Sequence, residues 1–196
     1  MLNTTETQRG LSMIELMIAI VILGILISLG LPSFRAWMGN TKLRSTAESL
    51  QSGLQLGRVE AVRRNSNVEF VLTNDAPIEA NVNSLTANIT GKNWVVRADT
   101  DPSPLVASYS FIGGKSVDEG SVASVLITAP AATITFTGMG RTTLAANSTF
   151  QITNPTEGAC AAAAGPMRCL NIAVAVGGQI KMCDPAVLTA GDTRRC

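Results

Sequence analysis

Three features of these 196 residues predict an α+β fold: a long helical stretch near the N-terminus, a change of hydrophobic period near residue 67, and a series of short β-rich segments behind it. A helix of that length followed by short strands places the helix across an antiparallel sheet, or across two sheets. Four cysteines confined to the last 37 positions mark the C-terminal region as a part held by extra covalent ties.

The helical stretch has two halves. A polar leader ends at Arg9-Gly10, and residues 11–31 are then Leu, Ile, Val, Met and Ala, interrupted by Ser12, Glu15, Gly24, Ser28 and Gly30. At 1.5 Å per residue the run spans about 30 Å, the thickness of a bilayer core. A secretory signal would have a shorter core and a small-residue cleavage site, and neither is present. Glu15 lies four residues inside the span, where a lone charge is costly and calls for a partner or a path to the interface. Pro32 predicts a bend near residues 28–32. Beyond it Leu43, Ala47, Leu50, Leu54, Gly57 and Ala61 recur at steps of four and three, the spacing of one helix face. Arg63-Arg64-Asn65 ends the helix, since basic residues suit a helix C-terminus and Asn tolerates a left-handed cap. The organisation is therefore 1–10 leader, 11–31 transmembrane helix, 32–66 amphipathic helix and 67–196 β-rich head.

In the head, Val68–Leu72 is a first strand and residues 75–91 form a loop with one weak strand. Asn93–Asp99 is the second, closed by Asp101-Pro102-Ser103-Pro104. Val106–Ile112 is a third, ended by Gly113-Gly114, and Val122–Thr128 a fourth. Thr133–Thr137 alternates and stops at Gly138-Met139-Gly140, and Met139-Gly140-Arg141 reads as turn geometry rather than a site. Ser148–Thr153 follows. Leu170–Val176 and Gln179–Met182 are joined by Gly177-Gly178, a two-glycine hairpin signal.

Composition removes several function classes. There is no histidine, which excludes His-based triads and most catalytic zinc sites. The formal net charge is +1, and aromatic residues make up 4%, too few for a base-stacking surface. No nucleophile elbow, P-loop or dinucleotide fingerprint occurs, so no enzyme activity and no cofactor is expected. Asp99, Asp101, Asp118 and Glu119 do not follow a regular calcium loop and read as solvated carboxylates. Cys160, Cys169, Cys183 and Cys196 include no C-x-x-C pair, which favours disulfides over zinc. Three pairings are open; closing the shortest loops favours Cys160 with Cys169 and Cys183 with Cys196.

Gly10, an apolar residue after it and Glu15 at the fifth place resemble the class III signal peptide of type IV pilins and type II secretion pseudopilins, although Leu11 stands where that family usually has Phe. Leu54–Asn65, with its Gly57-Arg58 and Glu60-Ala61, is similar to the helix end of the GspH/FimT (FimU) family of minor pilins and pseudopilins. Gly91–Asp99 resembles that family's Gly-Trp-x-Val-x-x-Asp block, Phe136–Arg141 its Phe-x-x-x-Gly-Arg turn, and Ile172–Cys183 its closing hairpin.

The resemblance implies a pilin-like fold and a life cycle. A prepilin peptidase would cut between Gly10 and Leu11 and methylate the new N-terminus at Leu11. Glu15 would pair with the corresponding amine of a neighbouring subunit. The chain would sit in the bacterial inner membrane with its head in the periplasm, meet the assembly platform, and pass into a filament of other pilins. Its role would be a minor pilin that primes or caps a type IV pilus, or the GspH pseudopilin of a type II secretion system. Some FimT-like members bind DNA through a Gly-Arg-x-Arg hairpin. Here that hairpin reads Gly178-Gln179-Ile180-Lys181, which leaves Lys181, with Arg194 and Arg195, as the candidate contacts.

Overall fold

The computed structural model describes residues 12–100, 108–116 and 125–196, in two compact units, one ending at Trp37 and the other spanning Met38–Cys196. Helix α1 runs Met13–Arg64 and is unbroken at Pro32. It opens after Ser12, whose carbonyl accepts the Leu16 N–H at 3.1 Å. Its other end is a Schellman cap: Ser66 N–H donates to the Ala61 carbonyl, Asn65 N–H donates to the Val62 carbonyl, and Asn65 takes φ 49°.

Eight strands follow: β1 (Val68–Thr73), β2 (Asn93–Asp99), β3 (Tyr109–Ser116), β4 (Leu126–Thr128), β5 (Thr133–Phe136), β6 (Ser148–Thr153), β7 (Leu170–Val174) and β8 (Ile180–Cys183). They form two four-stranded sheets, β3-β2-β1-β5 and β4-β6-β7-β8, with every strand pair antiparallel. The fold is α+β, with a long N-terminal helix and two sheets.

Two segments differ from the sequence expectation. The glycines read as the end of the third strand lie inside it, and β3 continues to Ser116 with its irregularity opposite Val96/Arg97. Close approach explains both positions: a Cβ on Gly113 would lie 3.2 Å from Leu56, and one on Gly114 would lie 2.9 Å from Pro77 and from the Trp94 carbonyl. The closing hairpin is not a two-residue turn. Ala175 N–H donates to the Gln179 carbonyl at 2.9 Å and Gly178 N–H to the Ala175 carbonyl at 2.8 Å, and of the two glycines only Gly178 has positive φ, 83°. Residues 106–107 and 122–124 of the expected strands lie outside the described residues.

One core is shared by the second unit's part of α1 and both sheets. Leu43, Ala47, Leu50, Leu54 and Ala61 are fully buried against Phe70, Leu72, Val96, Ile134 and Phe136 of the first sheet and Phe150, Ile152, Ile172 and Val174 of the second. Phe70 is the joint: it stacks on Trp94 at 5.9 Å and meets Phe150 edge-on at 6.2 Å. Trp94 reaches the helix through its indole N–H, which donates to Ser49 Oγ at 3.2 Å. The first sheet's other face is covered by the 74–91 loop, with Val82 buried over it and the Arg97–Glu69 pair closed at 2.9 Å. Tyr109 lies under Arg97, 3.6 Å from ring centre to guanidinium, and burial pushes its phenol above the usual range.

Candidate functional site

The N-terminal half of α1 exposes the residue types that its C-terminal half buries. Ile14, Met17, Ile20, Val21, Leu23 and Leu26 are each more than half exposed. This is the described helix long and apolar enough to cross a membrane. Glu15 is exposed in its first turn. It stands three residues after Ser12, the spacing of a capping box, and a carboxylate there also suits the positive end of the helix dipole. Gly10 and Leu11 lie outside the described residues.

The C-terminal region is tied twice. Cys160 is bonded to Cys169 and Cys183 to Cys196, with Cα separations of 5.4 and 5.1 Å. The first loop docks on the helix: Asn40 accepts the Arg168 N–H at 2.7 Å and donates to the Pro166 carbonyl at 3.3 Å, so its amide holds the loop's backbone by both ends. Nothing in the residue types around Asn40 announced this contact, because it joins positions 126 and 128 residues apart.

The second loop brings Lys181 and Arg195 together. Lys181 Nζ donates to the Arg195 carbonyl at 2.9 Å, and Asp184 N–H donates to the Arg194 carbonyl at 2.7 Å. Arg194 turns instead to Asp192, at 2.8 Å, and hydrogen bonds from its side chain and backbone lower that carboxyl to about 2. Lys181 and Arg194 thus both have partners within the loop, and Asp184 and Asp192 offset part of their charge.

A third locus lies where α1 ends. Glu60 holds Arg63 at 2.7 Å and Arg64 at 2.9 Å, and their hydrogen bonds keep its carboxyl below the ordinary range. Arg58 Nε donates to the Gly140 carbonyl at 3.1 Å. Val59 and Val62 are exposed on the last turns of the helix, Val62 abuts Gly140 of the 137–141 turn, and Met139 in that turn is 80% exposed. The signal was present in the chain, since Val59 and Val62 lie off the apolar face that Leu54 and Ala61 define. Among the described residues, no group of three or more His, Cys, Asp or Glu is placed to hold a metal. Asp99 is exposed, and Asp101, Asp118 and Glu119 lie outside the described residues.

Comparison with known proteins bears on both halves of the chain. A model described as the prokaryotic N-terminal methylation motif matches residues 7–31, and one described as type II transport protein GspH matches residues 46–178. Among solved structures, the type IV minor pilin FimU of Pseudomonas aeruginosa is 19% identical with a TM-score of 0.47, over 72% of this chain and 88% of that one. The minor pseudopilin EpsH from the type 2 secretion system of Vibrio cholerae is 12% identical with a TM-score of 0.49, over 74% of this chain and 99% of that one. No curated protein matches the chain. The GspH model covers well over half of the sequence and the methylation motif precedes it, so this chain belongs to the GspH family of pilin-like proteins.

Proposed function

We propose that the chain is a minor pilin, cut between Gly10 and Leu11 by a prepilin peptidase, methylated at Leu11, and assembled into a type IV pilus that it primes or caps. The observation that carries the reading is the uncovered apolar half of α1 behind a matched methylation motif. Those side chains are exposed, and lipid before assembly and neighbouring helices after it would cover them in turn. Glu15, in the first turn, is the charge that a neighbour's N-terminal amine would meet, and an ammonium beside it offsets the cost of burying it. The inner-membrane assembly platform and the other pilins are the partners this path requires.

Shearing surface filaments and taking the protein's mass from sheared and membrane fractions tests the reading. A mature, methylated chain starting at Leu11 in the sheared fraction is expected. An intact N-terminus in both fractions refutes it.

The family description favours a second reading, a GspH pseudopilin of a type II secretion system. It predicts a processed form confined to the membrane fraction. The third reading, a DNA-binding pilin acting through Lys181, Arg194 and Arg195, has less support, since Arg194 is ion-paired to Asp192 and Lys181 is turned to the Arg195 carbonyl. Fewer available cations mean fewer neutralised phosphates and weaker binding.

A further inference from the structure

The outward face of α1 in the second unit is polar for most of its length: Arg44, Glu48, Ser52 and Gln55 are exposed there, and Arg44 and Glu48 pair at 2.8 Å. The last turn changes character. Val59 is 61% exposed and Val62 is 53% exposed, and the 137–141 turn, whose Gly140 abuts Val62, carries Met139 at 80% exposure. A Cβ on Gly140 would lie 3.1 Å from Val62, so turn and helix are in contact.

The turn is held unusually firmly for one whose tip is a solvent-exposed methionine. Thr137 N–H donates to the Arg141 carbonyl at 2.8 Å, Gly140 N–H to the Thr137 carbonyl at 2.7 Å, and Arg58 closes on the Gly140 carbonyl at 3.1 Å. Gly138 lies close against the Asn65 backbone, and Gly178 against the Gly140 carbonyl. A large apolar side chain displayed on a preformed turn loses little conformational freedom on contact, which is what a binding anchor needs. The rim is basic. Arg58 and Arg141 are exposed beside the patch, and Arg63 and Arg64 share a single carboxylate, Glu60.

We propose that Val59, Val62 and Met139 form a docking surface for an apolar knob rimmed with carboxylates on the head of a different filament subunit. The inference rests on the reading of the chain as a filament subunit. A two-fold contact with a second copy would set Arg58 and Arg141 against the same residues of its mate, and like charges in register oppose that pairing. Phosphate would satisfy the arginines but leave the three apolar side chains uncovered, and none of Val59, Val62 and Met139 offers a ring for a base to stack on.

The test uses the full chain in cells that assemble the filament, with a benzophenone amino acid in place of Met139. Irradiation should yield an adduct with another subunit carrying an N-terminal methylated apolar helix, joined through a head peptide that contains Asp or Glu. Adducts only with a second copy, adducts only with nucleic acid, or none while the chain is present in sheared filaments would each overturn the proposal. Met139→Glu and Val62→Glu should lower recovery in the filament fraction at least about tenfold with both disulfides formed and the melting temperature unchanged. Gln55→Glu, on the polar part of the same face, should leave recovery unaltered. Met139→Glu at wild-type levels in filaments also overturns the proposal. A wild-type chain absent from every filament fraction would remove the filament reading itself, and the docking surface with it.

Discussion

Adjacent glycines of the closing hairpin should respond oppositely to one methyl group. Gly178 has φ 83°, and a Cβ there would run into the carbonyl oxygen of Gly140. The left-handed conformation alone costs an L-residue roughly 1–2 kcal/mol. Relieving the overlap moves the Gly140 carbonyl, whose hydrogen bond from Arg58 contributes about 1 kcal/mol. Gly178→Ala should therefore lose about 2–3 kcal/mol, which for a chain of this size is a fall in melting temperature of roughly 4–12 °C. Gly177 has nothing within 4 Å of an added Cβ and no positive φ. Gly177→Ala should be neutral or gain up to about 0.5 kcal/mol, by narrowing the unfolded ensemble. Thermal denaturation of the full chain in detergent micelles, followed by circular dichroism, measures both. Equal melting temperatures for the two variants would refute the clamp between hairpin and turn.

Further outcomes follow from the same geometry. Glu15→Ala should leave cleavage and methylation intact, by mass, and reduce the amount in sheared filaments; wild-type recovery would count against a pairing role. Leu54→Ala removes a fully buried side chain between helix and sheets and should cost about 2–5 kcal/mol in denaturant unfolding. Cys183→Ser with Cys196→Ser opens a 13-residue separation and should cost about 2–4 kcal/mol, with faster amide exchange confined to 184–196. Asp192 has a depressed carboxyl, so its tie to Arg194 is fully present above the ordinary carboxylate value of 3.8 and lost as pH falls through about 2. The Arg194 amide resonance should report that transition, and Asp192→Asn should abolish it.

Periodic features were legible in the chain and tertiary contacts were not. The face Leu43–Ala47–Leu50–Leu54–Ala61 reads directly as a helix stripe because burial repeats with the helix period, and all five are fully buried. Ser148–Thr153 alternates and is a strand with those bounds. Asn65 reads as a left-handed cap and adopts φ 49°. Gly113-Gly114 misled because a glycine pair signals a turn locally, whereas here both admit neighbours that are distant in sequence, Leu56 and Pro77. Gly177-Gly178 misled for a related reason: one of the pair serves the turn and also meets the Gly140 carbonyl across the fold. Asn40 gave no signal, since an amide that grips a loop backbone 126 residues away looks like any polar helix residue. The shortest-loop choice of cysteine pairs matches the structure, because each pair flanks a segment short enough to close on itself.

Both halves of α1 carry leucines, and the cover available to those leucines differs between them. Leu50 and Leu54 have no exposed surface, while Leu23 and Leu26 are 56% and 62% exposed on the same helix. Apolar area left in water costs roughly 25 cal/mol per Å². For the second unit, two sheets supply the cover through Phe70, Phe136 and Phe150. The apolar side chains of 13–31 stay exposed, and the proposed function assigns their cover to lipid and then to neighbouring helices. Lipid accepts such a surface but has no use for a carboxylate at its edge, whereas a bundle of like helices can use one to fix register. That asymmetry makes Glu15 the informative position. A helix that only anchors the head would lose nothing when Glu15 becomes Ala, and a helix that must leave lipid and find its place among others would lose its registering contact.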